Sequence, residues 1–265
     1  MSVLEAILLG IIQGLTEFIP VSSSGHLIIA DTLFGVGNGS LAFDVALHGG
    51  TLLALLLYFW NDVVELAKAL FVKSDKTTLA WLLVISTIPA VVVGLLLEGY
   101  AEDTFRSSIL VSANLAIVAI IMLWAEHRYK HSKKHTTLDK TSRRQALTMG
   151  FAQALAVVPG VSRSGITITS GLFAGMDRIA ATRFSFLLGI PIIFGAFIKA
   201  VLFGDGLMQI QQDTAVFFVG IIAAFLSGLI AIKFLLRYLA KHSLKLFAYY
   251  RLLLAAATVI IALYI

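Results

Sequence analysis

Apolar residues run almost unbroken over 42–60, 79–97, 108–125, 183–203, 215–236 and 247–265. Each run has about the 20 residues that a helix needs to cross a hydrocarbon core. The polar gaps between them alternate in character. Residues 61–77 hold Lys68, Lys73 and Lys76, residues 126–145 hold seven Lys or Arg, and residues 237–245 hold Arg237, Lys241 and Lys245. Residues 98–107 and 204–214 together hold a single Arg against several acids. Lys/Arg-rich loops stay on the cytoplasmic side. The pattern therefore predicts six spans in a zigzag, with the three basic segments inside and the two acidic ones outside.

Two further apolar pieces, 3–34 and 145–176, are broken in the middle by Pro, Gly and Ser. Each half is about a dozen residues, too short to span. Broken backbone at membrane depth is tolerated where it lines a protein cavity, so both pieces predict re-entrant helix–loop–helix hairpins. They also resemble each other. Residues 6–28 align without gaps on 146–168, with Ala6, Gly10, Gln13, Leu15, Val21, Ser22, Ser24, Gly25 and Ile28 repeated at an offset of 140 residues. Each hairpin is followed by three spans, an odd number, so the second copy enters the membrane from the opposite side. The prediction is an all-α integral membrane protein forming one domain, 1–265. Repeat one is 1–125, a basic cytoplasmic loop is 126–145, and repeat two, 146–265, has inverted topology. Short, Gly/Pro-interrupted segments at matching places in two halves point to a site near the bilayer midplane.

Composition agrees. The chain of 265 residues is 59% hydrophobic and only 13% charged, against about 25% charged in soluble domains. With no cysteine, thiol chemistry is excluded. The N-terminus has no positive n-region and no small-residue cleavage site, so no cleaved signal peptide is expected. The net charge of +5 lies in the alternating loops, which topology explains, and no nucleic-acid partner is expected.

Candidate chemistry sits in the two broken tips. Tip one offers Gln13, Glu17, Ser22, Ser23, Ser24 and His26, and tip two offers Ser162, Arg163, Ser164 and Thr167. Each tip precedes a short helix whose first backbone N–H groups would face the cavity and favour an anion, phosphate especially. Arg163 adds a planar donor fork. A hydroxyl near an imidazole and a carboxylate suits phosphoryl transfer. Ser22 and Ser24 have a plainer reading as caps for orphan backbone donors. Arg163 and Glu17 are too costly inside an apolar segment to be incidental. Asp44 and His48, at i and i+4 on the first full span, either line the cavity or pair with each other. Glu5 reads as interfacial. His127, His131 and His135 lie in the charged loop without a carboxylate cluster and read as a solvated face rather than a metal site.

The chain resembles the undecaprenyl-diphosphate phosphatase family, the bacitracin-resistance membrane proteins, over essentially its whole length. The resemblance is carried by Gln13-Gly14-Leu15-Thr16-Glu17, by Pro20 to His26 (PVSSSGH), by Pro159 to Thr167 (PGVSRSGIT) and by Phe184 to Pro191 (FSFLLGIP). It implies six spans plus two re-entrant hairpins in the bacterial plasma membrane, with the site open to the periplasmic side. It implies hydrolysis of undecaprenyl diphosphate to the monophosphate and a divalent cation, Mg²⁺ or Ca²⁺. Carried to this sequence, Ser23 or His26 is the candidate nucleophile, Glu17 the acid/base or metal-linked carboxylate and Arg163 the diphosphate clamp. Ser162 and Thr167 would contact phosphate, and Gln13, Ser22 and Ser164 complete the expected substrate-binding set. Some family members carry glutamate where Gln13 stands. Glutamine can hydrogen-bond but cannot act as a base or bring charge to a cation, so a two-carboxylate metal site is not expected. Glu17 with the substrate phosphates would hold the cation.

Two rivals follow from the same features. Inverted repeats with broken helices are also a transporter architecture, so a polyprenyl-lipid flippase or small-molecule transporter is the alternative. The type-2 phosphatidic-acid phosphatases also remove lipid phosphates, but no histidine follows Ser162-Arg163 within the hairpin as that class requires. The expected partners are a polyprenyl diphosphate lipid and the membrane itself, and the sequence leaves a homodimer open.

Overall fold

The computed structural model describes residues 1–34, 41–101, 107–132, 134–203 and 213–264. Most of the two acidic loops, at 102–106 and 204–212, lies outside these residues. The described chain is all-helical and contains no β-sheet. Its elements are α1 (Val3–Phe18), α2 (Ser23–Phe34), α3 (Leu41–Tyr58), α4 (Trp60–Ala69), α5 (Thr77–Ala101), α6 (Ser108–His131), α7 (Arg143–Leu155), α8 (Arg163–Phe173), α9 (Arg178–Phe203), α10 (Thr214–Leu239) and α11 (Lys245–Tyr264). A single 3₁₀ turn covers Leu138–Lys140.

Local chemistry sets the helix starts. Ser2 caps α1 by accepting from the Glu5 backbone N–H, while the Glu5 carboxylate accepts from the Ser2 N–H at 2.7 Å. Ser142 and Gln145 build the same reciprocal box on α7. Each box satisfies two donors that would otherwise be orphaned at a helix start. The pairing places Glu5 in a capping role.

Among the described residues, α5, α6, α9 and α10 are each long and apolar enough to cross a membrane. The first predicted span differs. It ends at Tyr58, and α4 departs from α3 at 81° after a break at Phe59, so residues 60–69 form a helix rather than a simple basic loop. The basic stretch read as starting at 126 also begins later, because α6 continues to His131. His127 and His131 therefore lie on a helix end, while His135 stacks on Tyr129 at 3.8 Å between ring centroids. The outward faces remain apolar, with Leu57, Ile88, Leu96, Trp124, Phe218, Ile230 and Leu253 all more than half exposed. That is the surface a lipid-embedded chain presents.

Packing couples the two halves. α1 lies chiefly on α10, α7 on α5, α3 on both α9 and α10, and α6 on α11. Glycine permits the closest crossing: a Cβ on Gly10 would strike the Gly220 carbonyl, and one on Gly14 would strike Ser227 and the Ala224 carbonyl. Small residues let membrane helices approach in this way. Behind the site, Phe18 meets Phe186 edge-on at 5.4 Å, and Phe186 meets Phe59 at 6.2 Å.

The basic segments gather at one end. Lys76 pairs with Asp139 at 2.9 Å, Arg183 with Asp62 at 2.8 Å, and the Leu244 N–H donates to Glu126 at 2.8 Å. Glu126 is buried and also receives a two-pronged grip from Arg178, at 2.9 and 2.5 Å.

Candidate active site

Two loops of like geometry face each other. Ser22 and Ser162 have left-handed φ values of 77° and 71°, the only positive-φ residues other than glycine among those described. A serine pays for this conformation with local strain, and in both loops the same contacts hold it. The Ser22 carbonyl accepts from the His26 N–H at 3.2 Å and the Ser162 carbonyl from the Ile166 N–H at 2.9 Å. The two hydroxyls accept from the Gly25 and Gly165 N–H groups at 3.3 and 3.1 Å, and pair with Ser24 and Ser164 at 3.2 and 3.3 Å. Ser22, Ser162 and Ser164 thus build the turns, and Ser162 also borders the cavity between the tips.

The tips touch directly. The Gly160 N–H donates to Ser24 Oγ at 3.4 Å, and Ser164 Oγ donates to the Ile19 carbonyl at 3.4 Å. Arg251, wholly buried on α11, ties both together. Its guanidinium donates to the carbonyls of Pro20, Leu115, Asn114, Gly160 and Val161 at 2.8–3.4 Å. Asn114 adds a bond to the Pro159 carbonyl at 2.8 Å.

Between the tips is a cavity of about 250 Å³, lined by Glu17, Ser23, Ser24, His48, Ser162 and Arg163 on its polar side and by Val45, Ala156, Ile192, Ile193 and Ala196 elsewhere. Glu17, 7% exposed, is its hub. Glu17 Oε1 accepts from Arg163 Nη2 at 3.1 Å, and Oε2 accepts from Ser23 Oγ at 2.7 Å and Gln13 Nε2 at 3.1 Å. His48 Nε2 stands 3.6 Å from the same Oε2. Arg163 Nη1 donates to the Ser185 carbonyl at 3.2 Å, and its Nε has no partner among the described residues. A carboxylate bonded to a hydroxyl, beside a guanidinium fork, can take a proton from that hydroxyl while the fork holds an anion.

The structure thus brings Gln13, Glu17, Ser23 and Arg163 together. It turns His26 away: Nδ1 donates to the Ser22 carbonyl at 2.7 Å, and Nε2 pairs with the Tyr250 hydroxyl at 2.8 Å under a stacked ring. Thr167, expected to contact phosphate, is wholly buried and bonds the Arg163 carbonyl and Ser185 Oγ, both at 2.6 Å. It holds the Arg163 turn from behind.

Among the described residues no three His, Cys, Asp or Glu side chains converge on a metal-sized site. Glu17 is the one carboxylate on the cavity wall, its oxygens already serve Arg163, Ser23 and Gln13, and a cation there would meet the guanidinium. The protein's own residues do not fit a divalent cation held before substrate arrives.

Two residues of the site were not singled out in the sequence. Arg251 carried the same signal as Arg163, an arginine inside an apolar run. Ser185 lies within the FSFLLGIP stretch but has no signature of its own.

This geometry coincides with what the chain is similar to. A protein of Moorella thermoacetica named undecaprenyl-diphosphatase is 42% identical over 261 residues, covering 98% of this chain and 97% of that protein. One of the same name from Thermodesulfovibrio yellowstonii is 44% identical over 257 residues, covering 95% and 94%. One from Methanosphaera stadtmanae is 37% identical over 285 residues, covering 99% of each. The family model described as bacitracin resistance protein BacA matches residues 6–257, which take in both loops, the cavity and the Arg251 clamp, and the chain belongs to that family.

Proposed function

We propose that this chain hydrolyses undecaprenyl diphosphate to undecaprenyl phosphate and inorganic phosphate, the activity for which its relatives are named. This recycles a lipid carrier for envelope synthesis. The observation that carries the reading is the Ser23–Glu17–Arg163 constellation, where one carboxylate bonds both a hydroxyl and a guanidinium. The half-polar, half-apolar cavity suits a diphosphate head on an isoprenoid tail, with the tail leaving past Val45, Ile192 and Ala196 between α3 and α9.

In this mechanism the diphosphate competes with Glu17 for Arg163. Drawing the guanidinium toward phosphate neutralises charge on the transferring group, which is most of what phosphoryl transfer needs. Glu17 is then free to accept the Ser23 proton as Oγ attacks the terminal phosphorus. His26, bonded at both nitrogens, orients the start of α2. A divalent cation would enter with the substrate's phosphates and supply further charge neutralisation.

The fold reading belongs to the same proposal: six spans with 3–34 and 145–176 as re-entrant hairpins related by an inverted repeat. α1 and α2 have 16 and 12 residues, α7 and α8 have 13 and 11, or roughly 16–24 Å at 1.5 Å per residue, short of a 30 Å core. Exchanging the halves maps the α1–α10 contact onto α7–α5 and α3–α10 onto α9–α5, and maps α3–α9 and α6–α11 onto themselves. The gathered basic end is the cytoplasmic one. Val45 and His48 near the start of α3, and Ile192–Ala196 in the second half of α9, then put the cavity toward the outer face of the bacterial plasma membrane.

The test is phosphate release from undecaprenyl or farnesyl diphosphate by purified protein. Release should exceed that of Arg163→Ala by at least about a hundredfold. No difference sinks the enzyme reading and returns the transporter. Trapped enzyme should carry acid-stable phosphate on Ser23, whereas acid-labile phosphate would move the nucleophile to His26.

A further inference from the structure

We infer that an apolar groove between α4, α5 and α9 holds the far part of the substrate's polyprenyl tail, and that its walls set a preference for long chains. The inference rests on the diphosphatase reading above. The groove follows from the break at Phe59. There α4 leaves α3 at 81°, and Asp62 near its start is pinned to α9 by Arg183 at 2.8 Å. The rest of α4 stands against α5 and α9 across a cavity of about 260 Å³. Val63, Leu66, Ala67 and Leu70, at i, i+3, i+4 and i+7, turn one apolar stripe of α4 onto it. Thr87 of α5 is the one polar side chain on the walls, and its hydroxyl already donates to the Leu83 carbonyl at 2.8 Å. The groove therefore offers no side-chain partner to a phosphate head and fits an apolar chain.

The groove connects with the catalytic cavity round α9. At about 100° per residue, Leu187, Ile190 and Pro191, which wall the groove, lie on one face of α9. Ile192, Ile193 and Ala196, which wall the catalytic cavity, lie on nearly the opposite face. Pro191, Gly195 and Ala196 are exposed and bridge the two. A Cβ on Gly195 would meet nothing within 4 Å, so the bridge is open. The catalytic cavity of about 250 Å³ falls below the roughly 300–1,000 Å³ of pockets for drug-sized ligands. It cannot take an undecaprenyl tail of eleven isoprene units as well as the diphosphate. The remainder leaves past Ile192 and Ala196, where the small-residue bridge leads it to the groove.

Half-way round a helix of about 10–12 Å diameter is roughly 16–19 Å. A farnesyl tail of three isoprene units, with its first units in the cavity, ends before that; an undecaprenyl tail does not. Lipid is as apolar as this groove, so a seated tail gains close van der Waals contact rather than hydrophobic free energy. Such contacts hold ground and transition states alike, and act on KM rather than kcat.

The experiment compares undecaprenyl and farnesyl diphosphate on full-length protein in the same mixed micelles. Ala67→Trp on α4 and Val84→Trp on α5 fill the groove from separate walls, each from an exposed position outside the packed core. Each should raise KM for undecaprenyl diphosphate about five- to twentyfold, with kcat within about twofold. Kinetics on farnesyl diphosphate should stay within about twofold of wild type, which also shows that both variants fold. An unchanged KM on the long substrate overturns the inference and gives the groove to a lipid acyl chain, or to a second copy of the chain where the variants also change the oligomeric state. Equal losses on both substrates overturn it too, because the groove then acts through the fold and not through the tail. Either result leaves the diphosphatase reading intact while wild-type protein releases phosphate. Wild-type protein that releases none from either substrate overturns both.

Discussion

The guanidinium of Arg163 lies directly over Gly189 of α9, in the space that a Cβ on that residue would fill. Alanine is favoured over glycine inside a helix by about 1 kcal/mol, so Gly189→Ala should not weaken α9 by propensity. It should displace Arg163 from Glu17 and the Ser185 carbonyl. We expect phosphate release to fall at least tenfold. Gly195, with nothing near its Cβ position, is the matched control, and Gly195→Ala should keep full activity. Equal rates for the two variants would mean that the guanidinium's seat does not matter.

The bond between Arg163 Nη2 and Glu17 Oε1, 3.1 Å across the two tips, should make arginine hard to replace. Lysine brings one point charge and no fork, and cannot reach Glu17 and the Ser185 carbonyl together. Arg163→Lys should lose at least tenfold in kcat/KM, and Glu17→Gln 10²- to 10⁴-fold in kcat, the range for a general base. Steady-state kinetics on both variants checks this. A Glu17→Gln enzyme within a few-fold of wild type would remove the carboxylate from the mechanism.

Much of this site was legible because membranes make polar residues expensive. Glu17, Ser23 and Arg163 stand out against apolar surroundings, and the offset of 140 residues pairs their loops. What was not legible was direction. His26 is three residues from Ser23 in sequence, yet its ring follows the Ser22 carbonyl and Tyr250, a residue over two hundred positions away. The face shared by Asp44 and His48 could be read from i, i+4 spacing, but not that the His48 ring would reach Glu17. The break at Phe59 falls within a run, YFW, whose hydropathy gives no sign of it, because an 81° turn is decided by what α4 packs against. Arg251 was legible by the argument applied to Arg163, and its clamp on five carbonyls shows why its cost is tolerated.

Arg251 should matter for stability before chemistry. Arg251→Met keeps the bulk and removes every donor, leaving the Pro20, Gly160 and Val161 carbonyls without it. A single buried group left unsatisfied costs about 1–3 kcal/mol, so a loss of at least about 2 kcal/mol is expected. It should appear as a clearly lowered melting temperature in detergent, with reduced kcat because the tips lose their register. An unchanged melting temperature would show that the clamp is redundant.

At the basic end, the Lys76–Asp139 pair predicts a small, flat pH response. The hydrogen bond from Lys76, and then its charge, hold the Asp139 carboxyl below the ordinary carboxylate range. The same hydrogen bond raises Lys76. A lowered carboxyl stabilises the fold above its unfolded pKa, near 3.9, and loses that effect as pH falls through the folded value. A raised ammonium stabilises below its unfolded pKa, near 10.4, and loses that effect as pH rises through the folded value. The contribution is therefore level from about pH 5 to 9. Asp139 is mostly exposed, so it should be worth under about 1 kcal/mol. Thermal melts of Asp139→Asn against wild type across that range should show a small, constant difference. A difference that grows within the plateau would place other titrating groups in the contact.

Gln13 offers a test of how the cation is held. Its amide donates to Glu17 Oε2 at 3.1 Å, so Gln13→Glu sets a second carboxylate within bonding distance of the first. Two carboxylates that close share one proton between them unless a cation binds and lets both ionise. Wild-type protein, with one carboxylate already committed to Arg163 and Ser23, should show no Mg²⁺ or Ca²⁺ binding by calorimetry without substrate. The variant should bind one ion per chain, and should need less Mg²⁺ for half-maximal phosphate release. Substrate-free binding of equal strength in both proteins would mean that the cation has protein ligands other than this pair, and would move the metal away from Glu17.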